Sequence, residues 1–333
     1  MKVVDMHCDT IAEIFKDHER GGRQSILENR LMLDLRKMQA GDYGLQNFAL
    51  YVNLEQAKGR PFEFCMELLD TFYQEMEAHE DIIGIVRTYD DIRRNWEQGR
   101  MSALLTVEEG GTCQGKTAFL RDLYRLGVRM MTLTWNFPNE LGHPNINALD
   151  IRQGYPSLFL PDTLHGLTDR GRDFVARMGE LGMLVDVSHL SDKGFWDVAE
   201  VCGRPFVASH SNARAVCPCV RNLTDEMIRT LAERGGVMGL NFCADFLRTV
   251  PEGEKNPGRL EDVTAHARHI LRVGGEDCLG LGSDFDGIDT NQALPGAQSM
   301  GKLWEALKQS GFTERQLDKI FYANVLRVLE GVL

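Results

Sequence analysis

Short apolar runs alternate along the chain with longer amphipathic segments. Eight runs of β-branched or apolar residues have the length of buried strands, at 3–6, 45–52, 102–107, 128–134, 183–187, 206–209, 237–241 and 278–282. Between them, apolar positions at helical spacing predict helices at 117–126, 169–181, 192–201, 225–234 and 260–273. Nearly continuous apolar strands joined by crossover helices are typical of a parallel sheet with both faces covered.

The number of strand–helix units favours a closed barrel. Eight units predict an α/β fold of the (β/α)8 TIM-like type, and no glycine-rich dinucleotide fingerprint follows the first strand to favour an open sheet. Although the length would allow two domains, we predict a single barrel over residues 1–333, with insertions at about 139–164 and 244–259. Packing helices are expected in the C-terminal segment, 302–333.

Composition and charge narrow the class of protein. The chain has 333 residues, and 37 Lys and Arg against 49 Asp and Glu give a formal net charge of −12. An acidic surface argues against nucleic acid or an anionic membrane as a partner. No apolar run approaches the ~18 residues of a membrane span, and the first residues lack the apolar core of a signal peptide. We therefore expect a cytoplasmic protein.

Side chains that bind metal ions recur at the carboxyl ends of the predicted strands. His7 and Asp9 follow the first strand, and two positions apart on extended backbone they face the same way. Glu109 precedes two glycines at the end of the third strand, while His189 and His210 each follow a serine at the ends of the fifth and sixth. Each of these residues alone has a common structural explanation. The evidence for a metal site is that all of them follow predicted strands and so share one end of the barrel.

The set is too large for one tetrahedral zinc ion. Asp284 adds a further carboxylate at the end of the eighth strand, on the rim where barrel enzymes carry their chemistry. Two histidines, a His-x-Asp pair and a glutamate suit two metal ions about 3.5–4 Å apart that share a carboxylate and a hydroxide. The sequence therefore predicts a dinuclear hydrolytic centre.

These motifs, in this order and over essentially the whole chain, resemble the renal (membrane) dipeptidase family of zinc hydrolases with amidohydrolase-like barrels. The segments that carry the resemblance are 5–10, 107–111, 166–171, 185–189, 209–211, 221–222 and 282–287. The resemblance implies that His7 and Asp9 bind one Zn²⁺, that His189 and His210 bind the other, and that Glu109 bridges them.

The resemblance also implies a reaction. A metal-bridging hydroxide would attack the peptide bond of a dipeptide, L-Xaa-L-Xaa or L-Xaa-D-Xaa. Asp284 would move a proton or hold the substrate ammonium, and the planar guanidinium of Arg221 suits the substrate carboxylate. Asp186 is a candidate to orient a ligating imidazole. The family suggests a homodimer.

The sequence departs from the family pattern at the substrate side. Relatives of the mammalian enzyme carry a histidine after the fourth strand, where this chain has Trp135 followed by Asn136, so we expect both residues to contact substrate. Stabilisation of the oxyanion would fall to Asn136, to His143 or to the metal ions alone, and Cys243 stands where relatives often have tyrosine. Alternatives are a metal-dependent amidohydrolase of N-acyl amino acids or lactones and, more remotely, a non-catalytic metal-stabilised binding barrel.

Overall fold

A closed barrel of parallel strands forms the centre of the protein. The computed structural model describes residues 1–148, 157–251, 253–289 and 291–333. In these residues the strands are β1 (Val3–Asp5), β2 (Tyr43–Tyr51), β3 (Ile83–Val86), β4 (Met101–Glu108), β5 (Met130–Thr132), β6 (Leu184–Asp186), β7 (Val207–Ala208), β8 (Val237–Leu240) and β9 (Leu279–Leu281). Each of the eight predicted strands has a counterpart here, and the predicted (β/α)8 fold is confirmed.

The barrel closes through β4. The strands are hydrogen-bonded in the order β2-β1-β9-β8-β7-β6-β5-β4, and β2 pairs with β4 from Leu45–Ser102 to Tyr51–Glu108. On its other side β4 pairs first with β3 and then, from Thr106 onward, with β5. Strand β3 thus pairs with the first half of β4 and lies outside the closed ring of the other eight strands. The sequence analysis did not predict it.

Helices follow most strands and cover the barrel. In the described ranges they are α1 (Thr10–Glu19), α2 (Leu35–Ala40), α3 (Pro61–Glu77), α4 (Tyr89–Glu97), α5 (Thr117–Arg125), α6 (Asp169–Leu181), α7 (Asp192–Val201), α8 (Asp225–Glu233), α9 (Ala244–Leu247), α10 (Leu260–Gly274), α11 (Met300–Gln309), α12 (Glu314–Asp318) and α13 (Asn324–Val332). The side chains of Thr168, Ser191 and Thr224 accept hydrogen bonds from backbone N–H groups in the first turns of α6, α7 and α8, which fixes where these helices begin.

The buried apolar side chains of the barrel strands belong to two clusters, one on each face of the sheet. Leu104 of β4 belongs to a smaller cluster that joins side chains of several strands with those of α13. Its neighbours Leu105 and Val107 belong to the larger cluster that includes the surrounding helices. Because successive side chains of a strand point to opposite faces, Glu108 shares the face of Leu104.

The two predicted insertions are described only in part. Residues 149–156 of the first and residue 252 of the second lie outside the described residues. The described portion of the first insertion includes a 3₁₀ turn, Ser157–Phe159, and that of the second includes α9. Within the part of the chain that the structure describes, no helix is both long enough and apolar enough to cross a membrane.

Candidate metal centre and active site

Five ionisable side chains converge at the carboxyl ends of the strands. His7 follows β1, and Asp9 is the residue before the first turn of α1. Glu108 is the last residue of β4, while His189 and His210 follow β6 and β7. All five side chains are buried. Parallel strands bring their carboxyl ends to one rim, which explains how residues so far apart in sequence meet.

Glu108 lies between two sets of potential ligands. Its Oε2 is 3.4 Å from His7 Nε2, which is itself 3.4 Å from Asp9 Oδ2. Its Oε1 is 3.1 Å from His189 Nε2 and 3.7 Å from His210 Nε2. The ligand atoms of His7, Asp9 and Glu108 lie within 4.8 Å of one another, as do those of Glu108, His189 and His210. One carboxylate is therefore common to two three-residue groups.

The structure corrects the choice of Glu109 as the shared carboxylate. Glu109 is buried outside this cluster, with a positive φ of 101°. Its Oε1 accepts hydrogen bonds from Gly111 N at 2.6 Å and from the Asn139 amide, and its Oε2 accepts one from Trp135 N at 3.0 Å. Glu109 thus holds two loops, and the adjacent glutamate occupies the centre. Counting alternate positions from Leu104 along β4 would have selected Glu108, because these two share one face.

The hydrogen bonds around the histidines leave unprotonated nitrogens facing each other. Asn136 Oδ1 accepts from His189 Nδ1 at 2.9 Å. The Ser209 hydroxyl donates to Asp186 Oδ2 at 2.5 Å, so its oxygen accepts from His210 Nδ1 at 2.7 Å. In both neutral rings Nε2 then carries a lone pair, and the two Nε2 atoms are only 3.0 Å apart.

A cation resolves this arrangement. Two lone pairs at that distance repel each other unless a positive charge lies beside them. In addition, both ring nitrogens of His7 and Oδ1 of Asp9 are buried with no hydrogen-bond partner among the described residues, which is rare for buried polar atoms. Imidazole nitrogens and carboxylate oxygens are the ligand types that zinc takes in hydrolytic sites. The residues of this centre therefore fit metal ions.

Burial and mutual charge shift the pKa values in the centre. Burial lowers the pKa of His189 and His210 well below the usual value, which favours the neutral, ligating form. Burial alone would lower the pKa of His7 too, but the carboxylates of Glu108 and Asp9 raise it well above its usual value. Burial, reinforced by Asp9, raises the pKa of Glu108. Carboxylates so close together are costly without compensating positive charge.

Asp186 supports the histidines from below. Its Oδ1 accepts hydrogen bonds from the backbone N–H groups of Ser188 and Ser209, at 3.0 and 2.8 Å. Its Oδ2 accepts from Thr132 Oγ1 at 2.7 Å and from the hydroxyl of Ser209. Asp186 touches His210 only through Ser209, and this one carboxylate ties together the ends of β5, β6 and β7.

A cleft of about 480 Å³ opens over the centre. Asp9, Glu108 and His189 form part of its lining, together with Trp135, Asn136, Tyr51, Cys243, Phe246 and Asp284. The ring of Trp135 packs edge-on against Tyr51, with centroids 5.1 Å apart. The predicted substrate residues Trp135 and Asn136 thus lie at the cleft, and His143 is not part of its lining.

Asp284 and Arg221 take different positions. Asp284 lines the cleft, its Oδ1 lies 3.9 Å from His7 Nε2, and its Oδ2 accepts from Asn241 Nδ2 at 2.8 Å. Burial raises the pKa of Asp284 above its usual range, against the opposing charges of His7 and Arg221. Arg221 is buried behind the cleft residue Phe246, with its guanidinium 5.5 Å from that ring. Its Nη2 donates to His210 O at 3.2 Å, and its Nε has no partner in the part of the chain that the structure describes. Arg221 does not itself line the cleft.

Gly287 leaves room for two of these carboxylates, a role that the sequence prediction missed. A Cβ at position 287 would overlap Asp9 Oδ2 and lie 2.5 Å from Asp284 Oδ1, whereas Cβ atoms in proteins essentially never lie within 3.0 Å of a non-bonded heavy atom. The glycine that ends segment 282–287 was the available signal, because glycine permits the close approach of other groups to the backbone.

A parallel barrel with histidines and carboxylates around a cleft at its carboxyl rim is the architecture of a metal-dependent hydrolase. The profile of the membrane dipeptidase family, peptidase family M19, matches residues 1–332, so the chain belongs to this family. The resemblance noted from the sequence is thereby confirmed, and the protein is a metallo-dipeptidase.

Individual relatives agree with this assignment. A protein of Klebsiella pneumoniae, known only as uncharacterized and from the pqqA 5' region, is 37% identical over 275 residues, which are 82% of this chain and 98% of that protein. Dipeptidase tcpJ of Claviceps purpurea is 29% identical over 309 residues, 90% of this chain and 69% of its own length.

Solved structures show the same fold over the whole chain. The metallopeptidase called dipeptidase AC is 28% identical, with a TM-score of 0.88 over 100% of this chain and 98% of its own. A metallopeptidase of Rhodobacter sphaeroides, solved with a phosphinate mimic of the dipeptide L-Ala-D-Ala, is 26% identical, with a TM-score of 0.86 over 100% and 99%.

Proposed function

We propose that this protein is a dinuclear zinc dipeptidase that hydrolyses L-Xaa-L-Xaa and L-Xaa-D-Xaa dipeptides. The observation that carries the proposal is the position of Glu108, whose two carboxylate oxygens face two different sets of ligands. The Rhodobacter relative, with its bound mimic of L-Ala-D-Ala, supports a substrate with a D residue at its C-terminal position. The cytoplasmic location and the homodimer stay predictions.

The five clustered side chains would hold the ions. His7 and Asp9 form one ligand pair, His189 and His210 form the other, and Glu108 is common to both. Zinc bound there supplies Lewis acidity, which polarises the scissile carbonyl and lowers the pKa of water. Asn136 and Ser209 fix the ring orientation of His189 and His210 by accepting the protons on Nδ1.

Asp284 is the group that handles a proton. Its Oδ2 is held by Asn241, so Oδ1 is left at the cleft to accept a proton from water and return it to the leaving nitrogen. Binding of the substrate ammonium is the other role open to this carboxylate. Asp284→Asn separates the two, because loss of proton transfer lowers kcat, whereas loss of ammonium binding raises KM at unchanged kcat.

Arg221 suits the free carboxylate of the substrate. Among the described residues the buried Nε of Arg221 has no hydrogen-bond partner, and a substrate carboxylate that reached it past Phe246 would satisfy it. The proposal predicts that dipeptides with an amidated C-terminus are poor substrates. Arg221→Met should lose most of this discrimination between the acid and the amide, and an unchanged preference would exclude Arg221 from substrate recognition.

The cleft walls bear on side-chain preference. Trp135 and Tyr51 present aromatic surface, which suits the apolar part of a dipeptide. The side-chain carbonyl oxygen of Asn136 accepts from His189 Nδ1, so only its amide Nδ2 is left to donate to a ligand in the cleft. We propose that this amide N–H contacts the substrate carbonyl, where the family histidine is replaced by Trp135.

Two adjacent glutamates provide the test of the metal centre. Glu108→Gln should lose bound zinc and dipeptide turnover together. Glu109→Gln is the matched control, since it changes a buried glutamate beside the site that holds loops instead of facing the ligands. It should lower the free energy of unfolding by about 1–3 kcal/mol through a mispaired donor, yet keep its zinc. Equal loss of zinc in both variants would contradict the assignment of Glu108.

A library of L,L and L,D dipeptides, assayed on zinc-loaded protein by release of free amino acid, tests the substrate. We expect turnover of dipeptides and little turnover of N-acyl amino acids or lactones. The reverse pattern would favour the alternative amidohydrolase activity. Zinc binding without turnover of any of these compounds would support the binding barrel instead.

A further inference from the structure

A second group of metal-binding side chains lies outside the cleft. His143, Asp162 and His165 each offer one ligand atom, and these atoms lie within 4.8 Å of one another. The ring centroids of the two histidines are 5.1 Å apart. None of the three residues lines the cleft over the first centre.

The backbone holds these residues in place before any ion binds. Ser191, the residue before α7, donates from its backbone N–H to His143 O at 2.9 Å and from its hydroxyl to His165 O at 2.6 Å. Asp162 N donates to Asn145 Oδ1 at 2.9 Å, and Asp162 O accepts from Lys193 N at 3.2 Å. The start of one helix therefore fixes the backbone beneath all three side chains, which reduces the cost of ordering a site.

The Asp162 carboxylate is also oriented. Its Oδ1 accepts hydrogen bonds from the backbone N–H groups of Leu164 and His165, both at 2.9 Å. Its Oδ2 has no backbone partner among the described residues, and His165 Nδ1 lies 3.0 Å from Oδ2 and 3.2 Å from Oδ1. Oδ1 is thus used by the loop, and Oδ2 is the oxygen that a bound ion could take.

From these contacts we propose a separate site for a divalent transition ion, zinc by preference, bound by His143, Asp162 and His165. Two imidazoles and one carboxylate, with water in the remaining position, form a ligand set that zinc accepts, as do cobalt and nickel. The site joins the two ends of the first insertion, because His143 stands near its start and the other two ligands near its end.

An ion bound at this site would restrain a segment that forms part of the cleft wall. Leu158 lies between the two ends of this segment, lines the cleft, and accepts a hydrogen bond through its carbonyl oxygen from Val220 N at 2.9 Å. An ion that ties position 143 to positions 162 and 165 limits how far this wall can move. Binding of zinc should therefore lower KM for dipeptides several-fold with kcat unchanged.

Calorimetric titration tests the site. Protein loaded with zinc and freed of excess ion by gel filtration is titrated with Zn²⁺, and metal analysis before titration records how much the first centre retains. We expect one further equivalent that His143→Ala and His165→Ala each abolish. His79→Ala is the control, because His79 belongs to none of the ligand groups in the described structure and should leave that equivalent unchanged.

The outcomes separate this site from the first centre. No further heat of binding, or an equivalent that survives in both His143→Ala and His165→Ala, overturns the proposal. A low zinc content before the titration would count against the first centre and not against the proposed site. Because the side chain of His165 is 62% exposed, His165→Ala should fold normally, and a second readout is the loss of the zinc-dependent rise in Tm.

Discussion

Gly287 offers a test of the active-site geometry that changes none of the reacting groups. Replacing it by alanine adds one methyl group at the point where the carboxylates of Asp9 and Asp284 approach the backbone. Gly287 does not have a positive φ, so alanine introduces no backbone strain there. The effect of Gly287→Ala on the active site is therefore steric.

The size of the effect follows from the distances. The new Cβ would overlap Asp9 Oδ2 and lie 2.5 Å from Asp284 Oδ1, so at least one carboxylate must retreat by roughly 1 Å. A displacement of that size in a catalytic constellation costs about 100-fold in rate, or about 2.7 kcal/mol of activation free energy. Overpacking should also lower the free energy of unfolding by about 1–3 kcal/mol.

The assay is kcat/KM for an L,D dipeptide, with the zinc content of each preparation measured in parallel. Retained zinc with a low rate would indicate displacement of Asp284, whereas lost zinc would indicate displacement of Asp9. Gly301→Ala is the matched control, since a Cβ there meets no atom within 4 Å and the residue lies in a helix. If Gly287→Ala keeps kcat/KM within about twofold of Gly301→Ala, the reasoning from space is refuted.

Three other outcomes are expected. Chelation should abolish dipeptide turnover and zinc should restore it, and activity that persists after metal analysis shows the ions gone would contradict a metal-dependent reaction. Asn136→Ala removes the acceptor of His189 Nδ1 and should weaken zinc affinity by about 10- to 100-fold, measured by chelator competition; unchanged affinity would argue against the orienting role. Burial lowers the pKa of His266 to about 4, so the unfolded chain binds this proton first as pH falls below about 6.5. Folding should therefore lose about 2 kcal/mol at this residue between pH 7.5 and 5, and urea titrations should show a smaller loss in His266→Gln.

Much of the centre could be predicted from strand ends alone. His7, His189 and His210 each follow an apolar run, and parallel strands carry such residues to a common rim whatever the details of the loops. The same reasoning placed Asp9 and Asp284 beside them. These positions depend on the barrel topology, which the alternation of strands and helices already indicates.

The errors arose where local geometry decides. Glu108 and Glu109 are chemically identical neighbours, and only the alternation of faces along β4 separates the glutamate that faces the histidines from the one that holds loops. The strand β3 was missed because it pairs with half of one strand and takes no part in closing the barrel.

Residues that are far apart in the sequence and meet only in the folded chain could not be predicted. The group of His143, Asp162 and His165 was not predicted because its members meet only through the path of an insertion. Nothing in the local pattern around His143 indicates that a turn some twenty residues later returns to it. Contacts of this kind depend on the tertiary hydrogen bonds to Ser191.

The contact between Glu109 and Trp135 has a consequence for engineering. Glu109 adjoins the shared carboxylate Glu108 and binds the backbone N–H of Trp135, so the loop that shapes the cleft is tied directly to the end of β4. Asn136 of the same loop accepts from His189 Nδ1, so libraries that randomise this loop to change substrate preference would tend to yield variants with impaired zinc loading. Cys243 and Leu158 line the cleft from other segments and are the better positions to diversify.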